Sequence, residues 1–278
     1  MKIVHLVPDP ASRAVLTGYL HEELLEQPHR SMRPCVVICP GGAYRRLSPN
    51  ESDPVALSFF VKGYQAFILR YSTAGMDDPE PPPLGMLPLV ELSRALCLLR
   101  ERGEELQIIP DQIGVMGFSA GGHLAASLGA LWDSRELARV CGEMEGKNRP
   151  NALMLCYPVI TAGEFAHRDS FTCLTGHDPG LDSLFSLETR VTEHTPPTFL
   201  WHTGGDELVP LENALLFALA LRRAGVPMEC HFYEKGPHAL SLATPETAKE
   251  SGPYIQPHCA TWFPLCVDWL NTRFDFSA

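Results

Sequence analysis

The chain has 278 residues, 45% of them apolar and 20% charged, with a formal net charge of −11. That length and balance suit one large packed domain. An acidic surface repels a phosphate backbone, which argues against nucleic acid as a partner, and no run is long and apolar enough to predict a membrane span; the expected ligand is neutral or small.

Residues 3–7 and 14–21 read as strands, the second alternating Val15, Thr17 and Tyr19 with Leu16, Gly18 and Leu20. The opening stretch is broken by His5, Pro8 and Asp9, so it predicts no secretory signal. Residues 22–28 read as a connector. Pro34-Cys35-Val36-Val37-Ile38-Cys39 predicts a buried strand ending in Pro40-Gly41-Gly42-Ala43-Tyr44, a loop whose backbone can approach a ligand. Asp53-Pro54 reads as an N-cap with proline at the first helical position, starting a helix that runs to about Val61 and stops near Gly63. A buried strand over residues 65–71, a proline-dense surface loop over 72–83 and an amphipathic helix over 88–102, closed by Gly103, follow. The apolar run from Ile113 to Met116 predicts the central strand. It leads into Gly117-Phe118-Ser119-Ala120-Gly121-Gly122 and a helix-like run from His123 to Leu128.

Residues 131–146 predict a helix and a charged turn, and 151–157 a strand stopped by Pro158. Periodicity weakens over 159–197, where short helices near 170–174 and 181–189 are expected to form a lid-like insertion. A strand at Thr198–Thr203 runs into Gly204-Gly205-Asp206. A helix over 213–224, a strand at Met228–Tyr233, the loop Glu234-Lys235-Gly236-Pro237-His238 and a last helix over 261–272 complete the chain. Apolar strands alternating with helices predict an α/β fold: a mainly parallel sheet of about eight strands covered on both faces, with the first two strands as an antiparallel edge. The simplest organisation is a single domain over 1–278. The open edge strand offers a surface on which two copies could pair as a homodimer. Nine cysteines without a CxxC pair, several inside apolar runs (Cys35, Cys39, Cys97, Cys156, Cys266), read as reduced core thiols and predict the cytoplasm.

Strand, Gly-x-Ser-x-Gly and helix in succession form a nucleophile elbow, with Ser119 at its tip and the Ala120 amide aimed where an oxyanion would form. A serine hydroxyl needs a base, and the base needs a carboxylate to fix its tautomer. Asp206 and His238 follow the next strands in the required order, both at predicted carboxyl ends. His202 and His231 fall inside strands and read as packed side chains. Glu207 adjoins Asp206, and Asp178 and Asp182 lie in the insertion, but Asp206 comes first after the Gly-Gly turn. The amides of Gly42 or Ala43 are expected to complete the oxyanion hole. Tyr44, His123 and Tyr157 are candidates for touching substrate, with Tyr71 and Trp201 behind them as pocket-lining candidates. No HExxH, phosphate loop or dinucleotide fingerprint occurs, and His177-Asp178 lacks a second ligand pair, so neither metal nor cofactor is expected.

Taken together, Pro40 to Tyr44, Gly117 to His123, Tyr157-Pro158-Val159 and Pro196 to Thr203 resemble the α/β-hydrolase superfamily, in its acetyl-xylan-esterase-like, bacterial acetylesterase branch. The resemblance covers the chain from about Arg33 onward. It implies a Ser119–Asp206–His238 triad and hydrolysis of short acyl, chiefly acetyl, esters such as those on sugars or xylo-oligosaccharides. Where many relatives have His-Gly-Gly-Gly this chain has Pro40-Gly41-Gly42-Ala43, and Ala239 stands where a glycine often follows the histidine. A serine peptidase of the same fold, or a binding protein that keeps the fold without turnover, are the alternative readings.

Overall fold

A computed structural model of the chain describes residues 1–22, 31–250 and 252–276. Eight strands form one sheet in the order β1-β2-β4-β3-β5-β6-β7-β8. They are β1 (Lys2–Leu6), β2 (Val15–Leu20), β3 (Arg33–Cys39), β4 (Gln65–Arg70), β5 (Ile108–Phe118), β6 (Ala152–Cys156), β7 (Thr198–Thr203) and β8 (Met228–Tyr233). β2 is antiparallel to both β1 and β4, and every other pairing is parallel.

The apolar runs are explained by two separate cores. Along β3, Cys35, Val37 and Cys39 enter one core while Val36 and Ile38 enter the other; β4 and β6 divide in the same way. Successive side chains of a strand point to opposite faces, so a sheet covered on both sides has no polar face to show. One core is closed by α2 (Leu87–Glu101), α4 (Ala120–Leu131) and α8 (Glu212–Arg223). The other is closed by α1 (Asp53–Val61) and α9 (Trp262–Phe274). Four shorter helices, α3 (Gly103–Leu106), α5 (Arg135–Cys141), α6 (Arg168–Thr175) and α7 (Pro179–Phe185), add Leu106, Leu137, Phe171 and Phe185 to the first core.

Some boundaries differ from those the sequence predicts. β5 begins at Ile108 rather than Ile113, because Pro110, Asp111 and Gln112 interrupt the apolar pattern while the backbone stays extended. Asp53 is the first residue of α1, not its cap; the N-cap is Ser52, and the Asp53 carboxylate instead receives the Tyr19 hydroxyl. Residues 131–146 split, with α4 running on to Leu131 and α5 opening at Ser134, whose hydroxyl accepts from the Leu137 amide at 3.2 Å. The connector expected at 22–28 lies almost wholly outside the described residues.

The order of pairing sets the location of the site. From β3 the chain steps to β4 on one side and then returns across β3 to β5 on the other. Open α/β sheets bind ligands at such a reversal, beyond the carboxyl ends of the strands. Here Cys39 is in register with Gly117, so the loop after β3 and the turn after β5 emerge side by side.

Candidate active site

The turn after β5 is possible only because two glycines lack side chains. A Cβ on Gly117 would lie 2.0 Å from the Gly121 carbonyl oxygen, and one on Gly121 would lie 2.1 Å from that of Cys39. With β5 and α4 that close, Ser119 is forced to φ 54°, a left-handed conformation that an L-residue adopts only under constraint. Its amide donates to the Cys156 carbonyl at 3.0 Å, and its own carbonyl accepts from His123 at 3.0 Å and Val159 at 3.1 Å. The backbone is therefore held on both sides while the hydroxyl projects from the tip.

That hydroxyl lies 2.8 Å from Nε2 of His238, and Nδ1 of His238 lies 2.6 Å from Oδ2 of Asp206. The Asp206 side chain is fully buried and that of His238 is 10% exposed. A carboxylate only accepts, so Nδ1–H donates to Asp206, which leaves Nε2 to accept from Ser119. Oδ1 of Asp206 receives the amides of Leu208 at 3.0 Å and Val209 at 2.9 Å. Burial by itself would raise the Asp206 pKa, but the hydrogen bonds from His202 and His238, joined by the Val209 amide, prevail and hold it well below the usual carboxylate range.

The contribution of His202 was not legible in the sequence. It sits on β7, fully buried, and its Nε2–H is shared between Oδ2 of Asp206 at 3.2 Å and the Val209 carbonyl at 3.0 Å. The strand placement predicts a packed, hydrogen-bonded side chain, and that is how it lies; its partner is the same carboxylate that orients His238. The available signal was its position four residues before Asp206.

The loop after β3 faces Ser119. Gly42 and Ala43 line the cleft beside the hydroxyl. Among the described residues no acceptor engages the amides of Gly42, Ala43 or Ala120, whereas the Gly41 amide is taken by Glu51 at 2.9 Å. Three unclaimed donors beside a hydroxyl held in this way have the chemistry to hold an oxyanion. The cleft encloses ≈ 170 Å³. Its walls include Met76, Leu208 and His167, with Arg45 and Asp169 in an ion pair of 2.7 Å. A larger cavity of ≈ 410 Å³ between Trp132 and Arg139 contains none of these groups.

Tyr44, His123 and Tyr157, expected to touch substrate, do not line the cleft; each is about 1% exposed. His123 is one turn beyond Ser119, yet its ring points into the core, where Nε2–H donates to the Phe185 carbonyl at 2.9 Å and Nδ1 accepts from the Tyr44 hydroxyl at 2.9 Å. Burial lowers the His123 pKa to about 4, so the ring is neutral near pH 7. The Tyr157 hydroxyl donates to Glu51 at 2.7 Å. Tyr71 donates to the Pro40 carbonyl at 2.5 Å, and Trp201 stacks on Trp262 at 5.1 Å. These aromatic residues sit behind the site because strand-end side chains alternate between the two cores. Sequence position placed them near the cleft but not which way they face.

This sheet order, the elbow at its reversal and the residues gathered above it define an α/β hydrolase. Residues 24–221 match the BD-FAE family, and the chain belongs to it. It is 36% identical over 238 residues to endo-1,4-beta-xylanase B of Butyrivibrio fibrisolvens, covering 83% of this chain and 35% of that protein. It is 28% identical over 217 residues to the acetylxylan esterase of Xylanibacter ruminicola, covering 75% of this chain and 41% of that one. The chain thus spans less than half the length of these curated relatives. Among solved structures, an acetyl ester-xyloside bifunctional hydrolase from Caldicellulosiruptor lactoaceticus superposes with a TM-score of 0.78 at 36% identity, covering 97% of this chain and 92% of that one. No helix among the described residues is long and apolar enough to cross a membrane.

Proposed function

We propose that the chain is a carboxylic-ester hydrolase in which Ser119 attacks the acyl carbonyl, His238 takes its proton and Asp206 steadies the imidazolium that forms. The observation that carries this is the unbroken hydrogen-bonded line from the Ser119 hydroxyl through His238 to Asp206, set beside three unclaimed amides. Attack forms the Ser119–acyl bond through a tetrahedral oxyanion held by Ala120 and by Gly42 or Ala43. His238 returns the proton to the leaving alcohol. A water, deprotonated by His238, then releases the acid and restores Ser119.

The proposed substrate is a short acyl ester, chiefly acetyl, on a sugar or xylo-oligosaccharide. A cleft of ≈ 170 Å³ suits a small acyl group, and the acetylxylan esterase and acetyl ester-xyloside hydrolase among the relatives point to acetylated xylan. The test is hydrolysis of p-nitrophenyl acetate and of acetylated xylo-oligosaccharide by wild type and by S119A. Wild-type turnover lost in the variant supports the reading. Equal rates in the two proteins, or cleavage of aminoacyl-naphthylamides without ester turnover, would sink it. A reducing compartment belongs to the same proposal. All nine cysteines are free, and burial pushes the Cys35 and Cys39 thiols well above the ordinary range, which keeps them inert.

A further inference from the structure

Glu51 lies at the end of a short 3-10 turn (Pro49–Glu51), 1% exposed, at the base of the cleft. Its two carboxyl oxygens have different tasks. Oε2 accepts the Gly41 amide at 2.9 Å, and Oε1 accepts the Tyr157 hydroxyl at 2.7 Å. The Tyr157 oxygen in turn accepts the Ser241 amide at 2.9 Å, and the Tyr157 ring packs edge-on against His238 with centroids 5.1 Å apart. Burial pushes the Tyr157 pKa far up, so its hydroxyl keeps the proton it donates. Asn50 adds two ties to the same segment: its carbonyl accepts from the Ser241 hydroxyl at 2.6 Å, and its side-chain amide donates to the Thr247 carbonyl at 3.1 Å. Residues 50 and 51 therefore fasten the loop after β3 to the segment that carries His238.

That loop needs fastening. Ala43 and Tyr44 both have φ near +60°, and Gly42 has φ 126°. Non-glycine residues in this region persist only where their surroundings over-determine them. The space beside Gly41 is full: a Cβ there would meet Oε2 of Glu51 at 2.8 Å and the Cβ of Ser119 at 2.9 Å. The carboxyl group is wedged between loop and elbow. By taking the Gly41 amide it fixes the backbone immediately before Gly42 and Ala43, whose unclaimed amides lie in the lining of the same cleft as the hydroxyl.

We propose that Glu51 is a positioning residue for acyl transfer, holding the oxyanion-binding amides and the His238 imidazole in register around Ser119. This rests on the reading of Ser119 as nucleophile given above. Donor placement matters in the transition state more than in substrate binding. Loss of the carboxyl group should therefore lower kcat and leave KM nearly unchanged.

The test compares E51A, E51Q and Y157F with wild type on p-nitrophenyl acetate, alongside S119A and far-ultraviolet circular dichroism. E51A should lose about 100-fold in kcat with KM within about 3-fold, the scale of losing one oxyanion donor. Inhibition by phenylboronic acid, whose tetrahedral adduct uses the same amides, should weaken in parallel. E51Q keeps an acceptor for Gly41 and should lose about 10-fold; Y157F, which removes a single oxygen, should fall between E51Q and wild type. If E51A does not fold, E51Q and Y157F decide the matter. Folded variants with wild-type kcat, or with a raised KM alone, overturn the role of Glu51 while an inactive S119A leaves the nucleophile in place. An active S119A removes the nucleophile itself.

Discussion

At the scale of single residues, Asp206 and His123 show how burial and hydrogen bonding assign opposite fates to ionisable groups. Asp206 is buried but receives four N–H groups, from His202, His238, Leu208 and Val209, and its charge is stabilised. D206N would reverse the tautomer of His238, since an amide presents a donor where Nδ1–H needs an acceptor. Its kcat should fall on the order of 10⁴-fold with the fold retained, the scale seen for such a replacement in a serine protease; steady-state kinetics on p-nitrophenyl acetate checks this. His123 is buried neutral, with its pKa lowered from 6.5 to about 4 by desolvation. Between those values the unfolded chain binds a proton that the folded chain refuses, so stability falls as the pH drops through this window. The loss amounts to about 3 kcal/mol once both values are passed. The depressed pKa of Asp206 acts in the same direction at still lower pH. Urea unfolding at pH 7, 5.5 and 4 should show this decline, and H123Q should flatten the part between pH 6.5 and 4; the same slope in both proteins would contradict it.

At the scale of elements, the elbow is a contact between two backbones. The Gly117 Cβ that alanine would add has nowhere to go, at 2.0 Å from a carbonyl oxygen of the helix that follows. G117A should cost more than about 3 kcal/mol, read as a lower urea midpoint, whereas an alanine at half-buried Gly75 meets nothing within 4 Å. Although Gly75 has φ 89°, only that backbone strain opposes the change there, so G75A should be much milder. The middle strands were legible because β3, β4 and β6 carry continuous apolar runs, and the order Ser119, Asp206, His238 was legible because each follows a stretch that reads as a strand. The amino end of β5 was not, since Pro110-Asp111-Gln112 carries no apolar signal and lies in the irregular stretch between the Arg33–Ile108 and Cys35–Ile113 pairs. Facing was harder still. Tyr44, Tyr157 and His123 stand where a pocket wall was expected, but each turns its polar atom to a buried partner that is distant in sequence, Tyr44 and His123 to one another and Tyr157 to Glu51. Glu51 itself lies in a short polar turn with no periodicity, and only the folded chain brings it against Gly41.

At the scale of the whole molecule, the chain steps back across the sheet once, from β3 to β4, and Ser119, His238 and the loop that carries Gly42 and Ala43 gather beside that step. The segment over 159–197 closes one side of the cleft through His167 and Asp169. Arg45 ties it to the proline-dense loop by donating to Asp169 at 2.8 Å and to the carbonyls of Asp78 at 2.7 Å and Pro79 at 3.0 Å. If the proposed acyl ester binds here, a cleft of ≈ 170 Å³ walled in this way limits the acyl group. Across p-nitrophenyl acetate, butyrate and octanoate, kcat/KM should fall steeply with chain length, and R45A should lessen the penalty on the longer chains. A rate that rises toward octanoate would place the acyl group elsewhere. The most direct measurement is a crystal structure after reaction with a short p-nitrophenyl phosphonate. The expected result is phosphorus bonded to the Ser119 oxygen, with a phosphoryl oxygen within hydrogen-bond distance of the Ala120 amide and of Gly42 or Ala43. An unmodified Ser119, or an adduct whose phosphoryl oxygen points away from those amides, would contradict the proposed mechanism.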